Sequence, residues 1–472
     1  MSTFGGLNTA YRGLVAARQG LEVVGQNISN ANTDGYTRQR ITTSAVPAAS
    51  AASLISSAHQ IGQGVSVDGI ARLGSSYLDA RVQSTAQSSG YWSATATALS
   101  DVESALQEPG SDGISASLNG FWSAWQGVAN GAGEAAPAAV LLDSASRIAT
   151  GLSAAYADLD SQWTALRGKA DSDVTELNDA ATRVADLNGV IRATLAAGGS
   201  ANELIDQRNT IVTRIASLTG ATVRPQVDGT VSVAVGGNSI VQGSTSRAVV
   251  LTGPGSMAAS GPLRLEWADT PGQVIALDGG AIAGTLSVLA PANAGGTGGA
   301  VAELAGRLNA FATNLAGQVN AVHQGGATRS GATDLDFFSF AAGVPAALGL
   351  TVVPTSAATI GAGSPGAGGF DGSIADAIAQ LRLGSASPSE SWSRVVTQVG
   401  VDTRSAAQQA SMAGAAATSA SLLQLSNASV DMDEENLNLL QFQTAYQGAA
   451  RMMTAVDEML DTLINGMGRV GR

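Results

Sequence analysis

Two histidines, His59 and His323, are the side chains in this sequence best suited to hold a metal or carry a proton near neutral pH. Neither lies in an HExxH frame or any other metal-ligand spacing, and each reads as a surface or helix-end residue. Gly168-Lys169 lacks the glycine that a phosphate-cradling loop requires, and Ala170 replaces its Ser/Thr. The run Gly295 to Gly299 is low-complexity linker. Asp334 and Asp336, before Phe337-Phe338, have no histidine or glycine frame beside them and read as turn residues. Asp431, Asp433, Glu434 and Glu435 invite a calcium reading but lack the glycine and spacing of an EF-hand loop. Four acids leading into a helix suit its positive N-terminal end instead. No catalytic residue, no cofactor and no metal site is expected; the chain does not read as an enzyme.

Composition points the same way. Charged residues make up 13 %, aromatics 4 % and hydrophobic residues 44 %, with 58 glycines, which suits long helices packed through small side chains rather than a disordered chain. The net charge of −13 argues against a nucleic-acid partner and against an anionic membrane. Cysteine is absent, no window is long and apolar enough to span a bilayer, and residues 1–20 carry no basic segment followed by an apolar one. By those ordinary rules the protein would be soluble and cytoplasmic.

The elements follow from periodicity. Leu7, Leu14, Leu21 and Ile28 recur every seventh residue, with Phe4 and Tyr11 between them. Near the other end Leu439, Phe442, Tyr446, Ala449, Met453, Val456, Leu460, Leu463 and Met467 follow at spacings of three and four. A 3.5-residue repeat keeps one seam of a helix against a partner. Both ends are therefore expected to be helices packed along each other or along copies in neighbouring subunits, and to order when neighbours bury their seams. The first helix should stop near Asn30, where Asn27, Asn30, Asn32 and the Asp34-Gly35 turn cluster, followed by an extended stretch from Thr37 to Thr43.

From Ser76 to about Leu218 the pattern is helical: one helix from Pro137 to about Leu195, and a shorter one from Asn202 to Leu218 capped by Gly220. Trp92, Trp122, Trp125 and Trp163 read as core between these helices. At Ala221 the period becomes 2, with Val223 to Val227 and Val231 to Val235 flanking Asp228-Gly229 as a hairpin. Leu263 to Trp267 is a further strand, Val301 to Val322 a helix, and helical pattern resumes from about Ile374. The fold class is α+β, predominantly α: an elongated multi-domain rod with coiled-coil termini, a helical bundle and a β-rich insertion. The expected domains are 1–40 plus 431–472 for assembly, 41–219 plus 386–430 helical, and 220–385 as a β-rich outer part with one helix (301–322).

The N-terminal block, with Asn27, Asn30, Asn32, Thr33, Gly35 and Tyr36 at its heart, closely resembles the signature of bacterial flagellar axial proteins. Thr37-Arg38-Gln39 and the C-terminal stretch from Asp433 to Asn465 resemble the hook-associated protein 1 family, the first hook–filament junction proteins. Asp186-Leu187-Asn188-Gly189, Asp206-Gln207-Arg208 and Val319 to His323 agree with that family too. The stretch Asn427 to Met432 departs from its usual pattern, and the chain is short for it, so an outer domain is expected to be reduced or missing. The resemblance implies a structural junction protein that adapts two helical lattices by polymerising through its terminal helices. It implies self-assembly into a ring, hook protein below, the second junction protein and filament above, and an export chaperone. It also implies an extracellular position on the flagellum, reached without a cleaved signal peptide, in place of the cytoplasm. The interface it implies comprises Leu7, Leu14, Leu21, Asn27, Ile28, Asn30, Asn32, Gly35, Tyr36, Leu439, Phe442, Tyr446, Met453, Val456, Leu460 and Leu463. The alternatives are a hook or distal-rod protein, a secreted flagellum-associated enzyme, or a generic coiled-coil scaffold.

Overall fold

A computed structural model describes residues 3–47, 62–259 and 261–466. His59 and Met467 lie outside them, and Leu463 lies outside the residues whose side chains are described. The chain opens with α1 (Thr3–Ser29), then an antiparallel pair, β1 (Gln39–Ala45) and β2 (Val65–Arg72), with a bulge between Thr42 and Thr43. Four helices follow: α2 (Ser76–Ser104), α3 (Ile114–Asn130), α4 (Ala135–Ala196) and α5 (Asn202–Thr219). Gly220 ends α5 at φ 74°, its N–H on Ala216 O at 2.8 Å, a left-handed cap that a side chain would strain.

Seven strands come next. β3 (Thr222–Pro225), β4 (Val231–Val235), β5 (Asn238–Gln242) and β6 (Thr245–Ser246) form one antiparallel sheet in sequence order. β7 (Val249–Thr252), β8 (Arg264–Trp267) and β9 (Thr270–Ile275) form a second. After α6 (Gly280–Val288) and α7 (Ala300–His323), β10 (Phe338–Phe340) and β11 (Leu350–Val352) pair around α8 (Ala346–Gly349). The chain ends through α9 (Ser373–Ala379), α10 (Pro388–Ala428) and α11 (Met432–Gly466).

The fold is α+β and predominantly α, and it is elongated. The 62 residues of α4 span about 93 Å at 1.5 Å per residue. The accessible surface is 23905 Å², against about 16,000 Å² for a compact globule of this mass. Two apolar cores sit along that rod. One gathers Trp122, Trp125, Leu141, Leu152, Leu308, Phe311 and Trp392 from α3, α4, α7 and α10. The other sets Leu177, Val184 and Ile215 of α4 and α5 against Val233, Val241 and Trp267 of the two sheets.

Three expectations are refined here. The helix assigned to the β-rich part, α7, packs Leu304, Leu308, Phe311 and Leu315 into the helical core. The helical pattern from Ile374 is not continuous: it breaks before Ser387, whose Oγ accepts the Glu390 N–H at 3.1 Å, and Pro388 starts α10 where no N–H is needed. Trp122, Trp125 and Trp163 are buried as core residues, while Trp92 is half-buried.

Candidate assembly site

The terminal helices lie antiparallel, and small residues let them approach. A Cβ on Gly6 would sit 3.8 Å from Val456, one on Gly13 3.8 Å from the Ala449 Cβ, and one on Gly20 2.5 Å from the Phe442 ring. Ala10, Ala17 and Val24 are buried between them. Within the chain, the partner of α1 is its own C-terminal helix. Of the α11 positions its spacing marked, Val456 is buried, Leu439, Phe442, Met453 and Leu460 are half-buried, and Tyr446 is 37 % exposed.

On α1 the seven-residue repeat is real but its phase differs from the one the leucines mark. Gly6, Gly13, Gly20 and Asn27 face α11, one position before Leu7, Leu14, Leu21 and Ile28, which stay half-exposed. Phe4 and Tyr11 are 70 % and 56 % exposed. Choosing the seam by side-chain size misses a helix pair built by close approach, in which glycine forms the hole and Phe442 the knob. On the far side of α11, Met432, Leu437, Leu440, Met452 and Met459 are exposed as well.

Where α1 ends, the asparagine block becomes a polar joint. Asn27 is 1 % exposed and uses its whole amide. Its Oδ1 accepts from Tyr36 OH at 2.9 Å and from Gln39 N–H at 3.0 Å, while Nδ2 donates to Gln39 O at 2.9 Å and Glu435 Oε2 at 3.1 Å. Arg38 bonds Glu435 and Glu434, each at 2.7 Å, and donates its backbone N–H to Ala428 O at 2.9 Å. Gly35 holds φ 77° where a Cβ would meet Thr210 Oγ1 at 2.6 Å. Asn30 donates to Gln26 O at 3.0 Å and closes the helix end, and Asn32 is exposed on the turn.

The joint continues into the body. Thr37 N–H and Arg72 both bond Asp206, at 2.9 and 2.5 Å. Gln39 meets Glu203 and Asn202, and Asp79 takes Gln424 at 2.6 Å. Burial, then the charges of Glu203, Asp206 and Glu435, push the Tyr36 hydroxyl up to about 12. The Arg38 hydrogen bond pulls the Glu434 carboxyl below its ordinary value.

The interior motifs also acquire partners. Asn188, fully buried, donates to Val231 O and Gly243 O, each at 2.8 Å, and accepts from Val231 N–H at 3.0 Å and Arg208 at 3.1 Å. Arg208 also reaches Gly229 O at 2.7 Å; burial, then the Arg72 charge, push it down to about 10. Asn320 bonds both N–H groups of Phe337 and Phe338 and the carbonyl of Phe338. His323 sits at a helix end as expected but is buried rather than on the surface, with Nδ1 2.6 Å from Leu335 O and Nε2 accepting from Gly361 N–H at 3.0 Å. These contacts pin loops and sheets onto helices. Among the described residues no three His, Cys, Asp or Glu gather as a metal site, and no helix is long and apolar enough to cross a membrane.

Residues 99–338 match the model of the flagellar hook-associated protein FlgK helical domain, half of the chain. The chain belongs to the FlgK family. It is a structural protein of the flagellum, at the hook–filament junction. Its two ends match models shared with other axial proteins: residues 7–37 that of the flagella basal body rod protein, and residues 424–466 that of the FlgEFG rod protein C-terminus. Among FlgK-family relatives, flagellar hook-associated protein 1 of Bacillus subtilis is 29 % identical over the full length of both chains. That of Salmonella typhimurium is 30 % identical over 51 % of this chain and 43 % of its own. The fold is similar to that of the flagellar hook junction protein FlgK from Burkholderia pseudomallei, with TM-score 0.62 and 16 % identity over 76 % of this chain and all of that one.

Proposed function

We propose that the α1–α11 pair is the polymerising element of this junction protein. The observation that carries the reading is the uncovered apolar stripe. The pair already buries its small-residue seam, yet Phe4 and Tyr11 on one helix and Leu437, Leu440, Met452 and Met459 on the other are exposed, and Leu7, Leu14, Leu21 and Ile28 are only half-buried. Apolar surface of that extent on an otherwise complete helix pair suits contact with further copies of the same pair. The match of both ends to rod-protein models fits a terminal module common to axial proteins, with the body setting each one's place.

In the ring we envisage, the module of 1–40 and 431–472 forms the inner layer. The helical body, α7 included, lies outside it, and the seven strands of 222–275 are outermost. Hook protein lies below, and the second junction protein and filament above. A chaperone accompanies the chain to the flagellum's own export apparatus. No catalytic role is proposed.

A clean gene deletion imaged by electron microscopy tests the assignment. Complete hooks without filaments, and flagellin lost to the medium, are expected, with complementation restoring filaments. Missing hooks would place the protein in the hook or rod instead, and intact filaments would overturn the reading.

A further inference from the structure

The α1–α11 contact is a ladder with identical spacing on both rails. Gly6 meets Val456, Gly13 meets Ala449, Gly20 meets Phe442 and Asn27 meets Glu435. Each step advances seven residues on one helix and retreats seven on the other. Such a ladder is degenerate in its apolar rungs. Sliding α11 by one heptad away from the body moves it about 10.5 Å, and Phe442 then finds Gly13 while Ala449 finds Gly6. Glycine lies under the ring in both registers, so the seam accepts either; the slide gives up only the Val456 rung beyond the start of α1.

The polar rung does choose. Tyr36 OH and Gln39 N–H both donate to Asn27 Oδ1, which fixes the amide orientation and aims Nδ2 at the opposite helix. An acceptor is required there, and Glu435, 1 % exposed, supplies it while its other oxygen takes Arg38. After the slide Glu435, in the turn that must unwind, would no longer meet Asn27, leaving the buried amide donor unmatched and Arg38 without its carboxylate. Asp431 caps the first turn of α11 through the N–H groups of Asp433 and Glu434. The short connection from α10 permits the slide only if that turn unwinds, so Arg38 on Glu434 and Glu435 opposes both steps at once.

We infer that Asn27, Glu435 and Arg38 are a register lock, positioning residues that select one of two packings the apolar seam allows. A single polar position within a helical seam fixes register in this way. The consequence for assembly, which rests on the polymerising role proposed above, is that the lock sets the relative height of the outward stripes on the two helices.

The chain contains no cysteine, so introduced pairs report register without background. The 3.8 Å from a Gly13 Cβ to the Ala449 Cβ is about the mean Cβ separation of a natural disulfide. In the full-length monomer under mild oxidation, Gly13→Cys with Ala449→Cys should close and Gly6→Cys with Ala449→Cys should not. Adding Asn27→Leu with Glu435→Leu should shift cross-linking from the first pair to the second, while circular dichroism stays helical. Glu435→Gln, whose one amide oxygen still accepts from Asn27 Nδ2 although the bond from Arg38 is lost, should keep the first pair. An unchanged first pair in the double-leucine background would mean the connection or the seam sets register, and loss of both cross-links would mean the residues hold the pair together; either overturns the lock. A shifted register with polymerisation intact would uphold the lock and instead remove the polymerising role proposed for the terminal pair.

Discussion

Replacing Asn188 by alanine should loosen the two sheets from α4 and α5. The side chain is fully buried and makes four hydrogen bonds, three to backbone groups of Val231 and Gly243 and one to the Arg208 guanidinium. Taking about 1 kcal/mol for each neutral bond and about 2 kcal/mol for the charged one gives a loss of about 5 kcal/mol, a large share of what holds a domain folded. Volume alone does not explain that figure, and Asn188→Asp separates the causes. Aspartate has nearly the same shape and could still accept from Val231 and Arg208, but it turns an oxygen toward two carbonyls now 2.8 Å from the amide nitrogen. Urea melts followed by circular dichroism and tryptophan fluorescence are the assay, since Trp267 lies in the affected core. Both variants should melt earlier, with fluorescence changing ahead of helicity. An aspartate variant as stable as the original chain would refute the argument, because it would show that the two amide donors contribute nothing.

Three further outcomes are expected. Burial holds His323 below its ordinary value, so the unfolded chain takes up the proton first. Stability should be flat above about pH 6.5 and fall as pH drops below it, by up to about 1.4 kcal/mol per unit; His323→Gln should flatten that slope in denaturant melts. Tyr36 should ionise near pH 12, after the ordinary tyrosines, and Tyr36→Phe should remove that late step from the ultraviolet titration. Leu14→Asp with Leu21→Asp, both half-exposed beside the seam, should leave monomer helicity unchanged and abolish polymerisation in sedimentation, whereas Phe442→Asp should also reduce helicity because its ring fills the Gly20 notch.

The local elements were legible because their signals are local. The stop near Asn30, the Gly220 cap, the turn at Asp228-Gly229 and the seven-residue repeats at both ends each depend on the conformations a few neighbouring residues allow. The asparagine block could be recognised by resemblance, but its work could not be read from its own stretch, since Glu435, Asp206 and Glu203 lie 408, 169 and 164 residues from the groups they bond. Shorter separations, 43 and 21 residues, also hid the partners of Asn188 and Arg208, which lie on a later hairpin.

Sequence alone determined that both ends are heptad helices and that a hairpin follows the long helices. Tertiary structure decided which stripe of α1 becomes the seam, and that α7 joins the helical core. The physical reason is that periodicity records how often a helix turns toward a partner but not how near the partner comes. Where approach is close, glycine and alanine outrank leucine, and only the facing side chains reveal it.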